Sequence, residues 1–193
     1  MDYRSMIEDY LHREAEVLKK LDVDAIDKAV TLLEKTRKKQ AFIYIFGNGG
    51  SASTASHFLC DFNRGVSEKT KMKYRFCCLN DNTAALLAIA NDFGYEYVFV
   101  KQLEHRLCKN DVVVAISGSG NSENVIHAVQ YAKKCGNKVI GLTGYDGGRL
   151  KRMSDISLHV PVDDMQIAED IHLVFDHLMM SVLNKTIQAE NNE

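Results

Sequence analysis

The chain has few of the features that divide a protein into domains or direct it to a membrane. Its 193 residues include one proline, Pro161, no tryptophan and no low-complexity tract. No apolar run approaches the roughly 20 residues that span a bilayer, and the N-terminus lacks the apolar segment of a signal peptide. The net charge is −2 with both signs interspersed, so there is no basic patch. We therefore expect one cytoplasmic domain, residues 1–193, with neither nucleic acid nor a membrane as its primary partner.

The first part of the chain, residues 1–40, is predicted to form a helical hairpin. Apolar residues recur at helical spacing from about residue 3 to residue 39, and the segment Asp22–Asp24 breaks the pattern and supplies a helix cap. Short helices gain most of their stability from burial against other elements. The apolar faces of this hairpin therefore either cover one side of a sheet or pack against the same hairpin of another subunit.

Residues 41–193 alternate short apolar runs with helical segments. The apolar runs predict five strands, at Ala41–Phe46, Tyr74–Leu79, Val112–Ser117, Lys138–Thr143 and Ile156–Val160. Helices are expected from Ser51, over Thr83–Asn91, Tyr95–Leu107 and Glu123–Cys135, and from about Met165 to Thr186. Nearly continuous apolar strands separated by helices favour an α/β fold with a parallel sheet, right-handed crossovers and helices on both faces.

Two glycine- and serine-rich turns follow predicted strands. The first, GNGGSA, covers residues 47–52, and the second, SGSGNS, covers residues 117–122. Glycine lets the backbone approach a ligand closely, helix N-termini bind anions, and serine hydroxyls donate hydrogen bonds to phosphate oxygens. Two such turns at the carboxyl ends of parallel strands indicate one small phosphorylated ligand. For the second turn, the alternative is an ordinary β–α connection in which Ser122 caps the next helix.

A histidine and a carboxylate lie on the helix after the first turn. His57 and Asp61 are four residues apart and therefore share one helix face. Such a pair can hold a metal ion or divide the roles of acid and base. The alternative is an exposed hydrogen-bonded pair without a functional role.

The final helix contains a second polar cluster within an apolar segment. Its members are Glu169, Asp170, His172, Asp176 and His177. Glu169, His172 and Asp176 would share one stripe, whereas His177 is turned by roughly 80° and displaced by about 12 Å from Glu169. If both ends meet one ion, the helix must bend or start late, or the two residues belong to different subunits. The alternative is a polar stripe facing solvent.

The cysteines and the pair Asn91–Asp92 have simpler structural interpretations. The chain has five cysteines and no C-x-x-C pair, and we expect all five to be reduced packing residues. Cys77 and Cys78 are adjacent in an apolar stretch, and only Cys60 lies close in sequence to His57 and Asp61. Asn91–Asp92 precedes the predicted helix Tyr95–Leu107 and is expected to cap it.

Taken together, these motifs resemble the sugar isomerase (SIS) domain family. The resemblance rests on GNGGSA at 47–52, SGSGNSENV at 117–125 and KVIGLTGYDGG at 138–148. Three further segments are similar to the phosphoheptose isomerases, which act on sedoheptulose 7-phosphate: SASTASHFLCD at 51–61, ANDF at 90–93 and EDIHLVFDH at 169–177. The likeness covers nearly the whole chain, including the helical hairpin.

The resemblance implies a flavodoxin-like three-layer α/β/α sandwich over residues 41–193, usually assembled as a homotetramer with active sites at subunit interfaces. Several members are zinc-dependent or zinc-stabilised, which implies zinc or another divalent metal for this chain. By position, the residues that would bind the phosphorylated sugar are Asn48, Gly49, Gly50, Ser51, Asp92, Ser117, Gly118, Ser119, Ser122 and Glu169. The metal positions would be His57, Asp61, Glu169 and His177, and the catalytic positions Asp61 and His177.

Three of these positions depart from the family pattern. Asp61 stands where the family has glutamate, Glu169 where it has glutamine, and Gly118 where it has threonine. The extra negative charge at Glu169 should favour a divalent cation, and the shorter base at position 61 must be brought nearer to the substrate.

The function expected from the resemblance is that of an isomerase, an intramolecular oxidoreductase. It would convert sedoheptulose 7-phosphate to D-glycero-D-manno-heptose 7-phosphate through an enediol, with Asp61 as the base and His177 moving protons. One alternative is an isomerase of another sugar phosphate. Another is a non-catalytic SIS protein that binds phosphosugars or associates with a replication initiator.

Overall fold

The computed structural model describes residues 2–104 and 106–190, and it shows a parallel sheet of five strands. The strands are β1 (Ile43–Gly47), β2 (Phe76–Cys78), β3 (Val112–Ser117), β4 (Lys138–Thr143) and β5 (Ile156–His159). They lie in the order β2-β1-β3-β4-β5, and every neighbouring pair is parallel. The predicted α/β fold with a five-stranded parallel sheet is confirmed.

Eight α-helices accompany the sheet in this part of the chain. They are α1 (Tyr3–Leu18), α2 (Val23–Lys38), α3 (Gly50–Cys60), α4 (Thr83–Asp92), α5 (Val100–Leu103), α6 (Glu123–Lys134), α7 (Gly148–Met153) and α8 (Met165–Glu190). A π-helical segment, Asp61–Val66, continues directly from α3. None of the helices described is long and apolar enough to cross a lipid bilayer.

The sheet has a separate hydrophobic core on each face, as a three-layer sandwich requires. Alternate residues of a strand point to opposite faces, so Ile43 and Ile45 of β1 enter one core while Tyr44 and Phe46 enter the other. The first core contains side chains from α2, α3 and α8, and the second contains side chains from α5 and α6. The strands are therefore buried on both sides, which explains their nearly continuous apolar sequence.

Two helices, α1 and α2, are present in the first part of the chain, and they have different environments. Asp22 caps α2 by accepting a hydrogen bond from the Ala25 N–H at 3.0 Å. Helix α2 buries Ala29 and Leu33 in the first core, so it covers the sheet. Helix α1 buries only Val17 and leaves a stripe of large apolar side chains exposed, formed by Tyr3, Met6, Ile7 and Leu11.

The region between β2 and β3 departs most from the sequence prediction. Asn91–Asp92 does not cap a following helix, because these two residues form the C-terminal end of α4. The N-terminus of α4 is capped by Asn82. The predicted helix Tyr95–Leu107 is reduced to a 3₁₀ turn, Tyr95–Tyr97, and the single turn of α5. The backbone leaves helical geometry at Glu104, with ψ of 131°, and His105 lies outside the described residues.

The second glycine-rich turn is locked against the loop that follows β4. Gly120 has φ of +65°, and its carbonyl accepts a hydrogen bond from the Leu150 N–H at 2.9 Å. A side chain at this position would overlap the carbonyl oxygen of Gly147. The shape of the turn therefore depends on glycine for both its backbone angle and its close approach to the neighbouring loop.

Replacing Gly120 with alanine should destabilise the protein more than the same change at Gly136. Both glycines have positive φ, a conformation that costs a non-glycine residue roughly 1–2 kcal/mol. A methyl group added at Gly136 would point into open space, whereas one added at Gly120 would overlap the Gly147 carbonyl. Urea denaturation of Gly120→Ala and Gly136→Ala measures the difference, and equal losses in the free energy of unfolding would contradict this steric account.

Candidate functional site

The two predicted ligand-binding turns lie side by side at the edge of the sheet where the strands end. Strands β1 and β3 are neighbours, with Gly47 opposite Ile116, so the turns that follow them are adjacent. The strand that follows β1 in the chain, β2, lies on one side of this pair, and the strand that follows β3, β4, lies on the other side. The strand order therefore reverses between β1 and β3. Such a switch point is where open α/β sheets bind their ligands.

A small cavity of about 130 Å³ lies between the turns, and we call it the serine cavity. Its walls are Asn48, Ser51, Ile116, Ser117, Gly118, Ser119, Ser122, Met165 and Glu169. Helix α3 begins at Gly50 and α6 begins at Glu123, so two helix N-termini lie next to the serines. Backbone N–H groups at such ends, together with hydroxyl donors, suit a phosphate group.

The serine hydroxyls are held close together but are not used to cap α6. Ser122 occupies the N-cap position without a capping side-chain hydrogen bond. Its Oγ lies 3.2 Å from Ser117 Oγ, inside the cavity. The structure therefore places Ser122 both at the helix N-cap, as the simpler interpretation expected, and with its hydroxyl group available to a ligand.

Hydrogen bonds of asparagine side chains hold the first glycine-rich turn in place. Asn48 and Asn124 form a reciprocal amide pair with two hydrogen bonds of 2.9 Å, and the Tyr95 hydroxyl donates to Asn48 Oδ1 at 2.8 Å. Asn80 accepts a hydrogen bond from the Gly47 N–H and donates one to the Gly47 carbonyl. The positioning roles of Asn80 and Asn124 were not predicted, because their partners are distant in sequence.

Glu169 lines the serine cavity at the start of α3. Its carboxylate is against Gly50, so closely that a side chain at Gly50 would overlap it. Gly50 is the first residue of α3, where the N-terminal N–H groups favour a negative charge. Glu169 is therefore placed to meet a ligand in the serine cavity.

A second group of polar side chains lies farther along α3 and α8, and we call it the histidine cluster. It comprises His57, Asp61, Asp176 and His177, and one ligand atom of each lies within 4.8 Å of the others. The Nε2 atoms of His57 and His177 are 3.0 Å apart. Asp61 Oδ2 is 3.6 Å from His57 Nε2 and 3.9 Å from His177 Nε2. The donor types and their spacing suit a divalent metal such as zinc.

The structure thus brings together three of the four residues suggested as metal ligands. His57 and Asp61 share a face of α3 at the start of the π-helix, and His177 meets them from α8. Glu169 is not in this group, and Asp176 stands in it instead. The separation agrees with helix geometry, since residues 169 and 177 are displaced by about 12 Å along α8.

Asp176 is the one fully buried member of the histidine cluster. Its exposure is 0%, and neither carboxylate oxygen has a hydrogen-bond partner among the described residues. Burial, together with the nearby charge of Asp61, raises the pKa of Asp176 to about 8. The polar stripe of α8 therefore faces the interior at this point, and the expectation of a stripe facing solvent is wrong for Asp176 and for His172, which is also 0% exposed.

Other candidate residues lie outside both groups. Asp92 is exposed at the end of α4 and does not line the serine cavity. Cys60 is exposed beside His57 in a wider cleft, and Cys108 and Cys135 are exposed too, so these three are not packing residues. Cys78 is buried as predicted, and burial raises the pKa of its thiol to about 11.

Comparison with known proteins identifies the family. The SIS domain model matches residues 6–144. The chain is 41% identical over 163 residues to the phosphoheptose isomerase of Helicobacter pylori strain Shi470, covering 84% of each chain. It belongs to the phosphoheptose isomerase family of SIS-domain proteins. For strain P12 the identity is 39% over 193 residues, covering 96% of this chain and 100% of the relative.

Solved structures agree with this assignment. The phosphoheptose isomerase from Neisseria gonorrhoeae matches with a TM-score of 0.87 and 31% identity, covering 95% of this chain and 100% of the other. The enzyme from Francisella tularensis matches with a TM-score of 0.88 and 26% identity, covering 96% of this chain and 100% of the other. The expected SIS fold is confirmed.

Buried His172 should make the protein sensitive to mild acid. Burial lowers its pKa from 6.5 to about 4, so between these values the unfolded chain takes up a proton that the folded protein does not. The contribution of His172 to the free energy of unfolding should therefore fall by about 3 kcal/mol in total as pH drops through this window.

Chemical denaturation of wild type and His172→Gln from pH 7 to pH 4 tests this expectation. The stability difference between them should shift in favour of the variant as pH falls. Exposed His12, changed to glutamine, is the control and should leave the pH dependence of wild type intact. A constant difference between wild type and His172→Gln would contradict the burial effect.

Proposed function

We propose that the protein is an aldose–ketose isomerase that converts sedoheptulose 7-phosphate to D-glycero-D-manno-heptose 7-phosphate. The observation that carries the proposal is the arrangement of a phosphate-sized cavity and an acid–base cluster on the same pair of helices. Seven residues of α3 separate Gly50 from His57, a distance of about 10 Å. An extended open-chain heptose phosphate can reach from one to the other. The family relatives named above support the same assignment.

The serine cavity binds the phosphate in this proposal. Ser51, Ser117, Ser119 and Ser122 donate hydrogen bonds to phosphate oxygens, and the N-termini of α3 and α6 add backbone N–H groups. Asn48, Gly49, Gly50 and Gly118 form the nearby surface for the sugar. Glu169, beside Gly50, accepts hydrogen bonds from sugar hydroxyls.

The histidine cluster carries out the proton transfers. The Asp61 carboxylate removes the proton from the carbon next to the carbonyl, which gives an enediol, and the proton then returns to the neighbouring carbon. His177 donates and accepts protons at the two oxygens. Its ring is 55% exposed and can therefore reach a substrate that lies over the cluster.

A divalent cation, zinc by the donor types, is part of the proposal. The paired imidazoles and the unpartnered buried carboxylate of Asp176 fit such an ion. When bound by His57, Asp61 and His177, it would polarise the carbonyl and stabilise negative charge on oxygen. It would also compete with proton transfer for the Asp61 and His177 side chains, because a ligated carboxylate is a poorer base.

Self-association, as a homotetramer in the cytoplasm, completes the proposal. Two apolar surfaces support it: the stripe on α1, and helix α4, which has no buried residue and exposes Leu87 at 67%. Asp92 lies outside the serine cavity of its own chain, so its contact with a sugar would be made at a subunit interface. All five cysteines are free thiols, which agrees with a reducing compartment.

Turnover measurements in deuterated water test the reaction. Wild type supplied with zinc should convert sedoheptulose 7-phosphate to the aldose and incorporate solvent deuterium. Asp61→Asn and His177→Gln should each lower kcat by about 10²- to 10⁴-fold, the usual contribution of acid–base groups. The matched controls Asp27→Asn and His12→Gln, at exposed positions of α2 and α1, should keep wild-type activity. Wild type without aldose formation or exchange would exclude this substrate, and full activity in either site variant would exclude that residue's role.

The self-association surface can be tested by adding charge to α1. Ile7→Lys places an ammonium group in the exposed apolar stripe, whereas Glu8→Lys adds a lysine at a neighbouring exposed polar position. Burying an unpaired charge in an interface is costly, so Ile7→Lys should shift the protein to smaller species while Glu8→Lys does not. Light scattering coupled to gel filtration measures the molar mass of each variant and of wild type in solution. An unchanged mass for Ile7→Lys would show that this stripe is not an interface.

A further inference from the structure

The side chain of Asn48 belongs to a series of hydrogen bonds that begins at the backbone of α6. The Val125 N–H donates to Asn124 Oδ1 at 2.9 Å. Because a backbone N–H can only donate, this bond identifies which atom of the Asn124 amide is the oxygen. Asn48 Nδ2 donates to the same oxygen at 2.9 Å, and Asn124 Nδ2 donates back to Asn48 Oδ1 at 2.9 Å. The orientation of the Asn48 amide therefore follows from that of Asn124, which is only 2% exposed.

Tyr95 completes this network from the segment that follows α4. Its hydroxyl group donates to Asn48 Oδ1 at 2.8 Å, beside the bond from Asn124. A carbonyl oxygen has two lone pairs, so both lone pairs of Asn48 Oδ1 are used. One N–H of the Asn48 amide is bound to Asn124 as well. The contacts among the described residues thus leave Asn48 one hydrogen-bonding group for a ligand, its second N–H, and Asn48 can meet a ligand only as a donor.

The segment that carries Tyr95 is anchored independently of the tyrosine hydroxyl group. Val98 and Phe99 are 0% and 1% exposed, and the Phe99 ring stacks on Phe46 with ring centroids 4.8 Å apart. The Tyr95 ring itself is 60% exposed, so its burial adds little to this anchoring. Removing the hydroxyl group alone should therefore leave the segment in place and change only the contact with Asn48.

Asn48 lies where a donor can meet a sugar. It lines the serine cavity together with Ser51 and Ser122, which bind the phosphate group in the proposed function. A phosphate group held there leaves the adjoining carbons of the sugar next to the first turn. The hydroxyl oxygens on those carbons accept hydrogen bonds, so a fixed N–H donor matches them.

We propose that Tyr95 is a positioning residue, which holds Asn48 as a hydrogen-bond donor to a hydroxyl oxygen of the bound sugar phosphate. This inference rests on the proposed function for the presence of the sugar, and it adds how the first turn recognises that sugar. Without the Tyr95 hydroxyl group, one lone pair of Asn48 Oδ1 becomes free, and Asn124 alone holds the amide. Asn48 then offers an acceptor as well as a donor, and its N–H is less firmly placed.

The kinetics of Tyr95→Phe test the positioning role. A contact with a hydroxyl group away from the reacting carbons acts equally on substrate and transition state, so its loss raises KM and leaves kcat unchanged. One neutral hydrogen bond corresponds to a KM increase of about 2- to 10-fold for sedoheptulose 7-phosphate. Tyr97→Phe removes the neighbouring hydroxyl group, keeps the ring that stacks on His127, and should retain the wild-type KM. A wild-type KM in Tyr95→Phe, or a loss confined to kcat, would overturn the inference.

A double-mutant cycle shows whether Tyr95 acts through Asn48. Wild type, Tyr95→Phe, Asn48→Ala and the double variant are titrated by calorimetry with heptitol 7-phosphate and hexitol 6-phosphate, which lack a carbonyl group and cannot isomerise. Tyr95→Phe should weaken the binding of these polyol phosphates by about 2- to 10-fold in the wild-type background. In the Asn48→Ala background the same change should have less than about a twofold effect, because the residue it positions is gone. Equal losses in both backgrounds would indicate a merely structural role and would contradict the proposal.

Inorganic phosphate is the second probe in these titrations. Its affinity should be the same in wild type and Tyr95→Phe, since the serines that surround it are unchanged. This comparison decides the question even if Asn48→Ala does not fold, because weaker polyol phosphate binding with unchanged phosphate binding excludes a general disruption of the site. An equal loss for phosphate and for the polyol phosphates would overturn the inference.

Turnover of sedoheptulose 7-phosphate by wild type separates this inference from the proposed function. If Tyr95 and Asn48 are coupled in polyol phosphate binding but wild type does not isomerise the sugar, the proposed function fails and the positioning role stands. If wild type isomerises the sugar and the cycle shows no coupling, the positioning role fails and the proposed function stands. Wild type that binds neither polyol phosphate more tightly than inorganic phosphate would also exclude the positioning role.

Discussion

The packing of α3 against α8 on one face of the sheet is the constraint on which the site depends. The two helices run in the same direction, with Gly50 beside Glu169 and His57 beside His177. The N-terminal end of α3 faces the serine cavity, and its other end carries the histidine cluster. Because the core below both helices is close-packed, the distance between these two groups is fixed before any ligand arrives. The spacing between the serine cavity and the histidine cluster is thus a property of the fold.

Much of this arrangement could be predicted from sequence because its signals are local. The strands β3 and β4 have the predicted bounds, and Asp22 caps α2 as the break in the pattern indicated. The two glycine-rich turns were predicted to meet, since carboxyl ends of neighbouring parallel strands lie at one edge. Helix geometry also indicated that Glu169 and His177 lie apart, and the histidine cluster does not include Glu169.

What could not be predicted depends on contacts between distant segments. The spacing of His172 and Asp176 fits either a stripe facing solvent or one facing the core, and only the packing of α8 on the sheet decides between them. The apolar residues on both sides of Asp176 were the available signal for burial. A helix was predicted over Tyr95–Leu107, but only Tyr95–Tyr97 and Val100–Leu103 are helical, and the backbone turns away at Glu104. Local propensity is a weak guide where tertiary contacts determine the backbone.

Helix α1 connects its exposed apolar stripe with helix α8. The Arg13 guanidinium pairs with Asp164 at 2.7 Å, just before α8, and the Tyr10 hydroxyl donates to Asp170, next to Glu169. The Arg13 side chain is 44% exposed, and exposed ion pairs contribute little stability, about 0–1 kcal/mol. Helix α1 also buries only Val17 fully, so these contacts alone hold it weakly. A partner that covered the exposed stripe of α1 would fix α1 more firmly and, through Tyr10 and Arg13, the first turns of α8. Assembly through this stripe would therefore be physically coupled to the position of Glu169 beside Gly50.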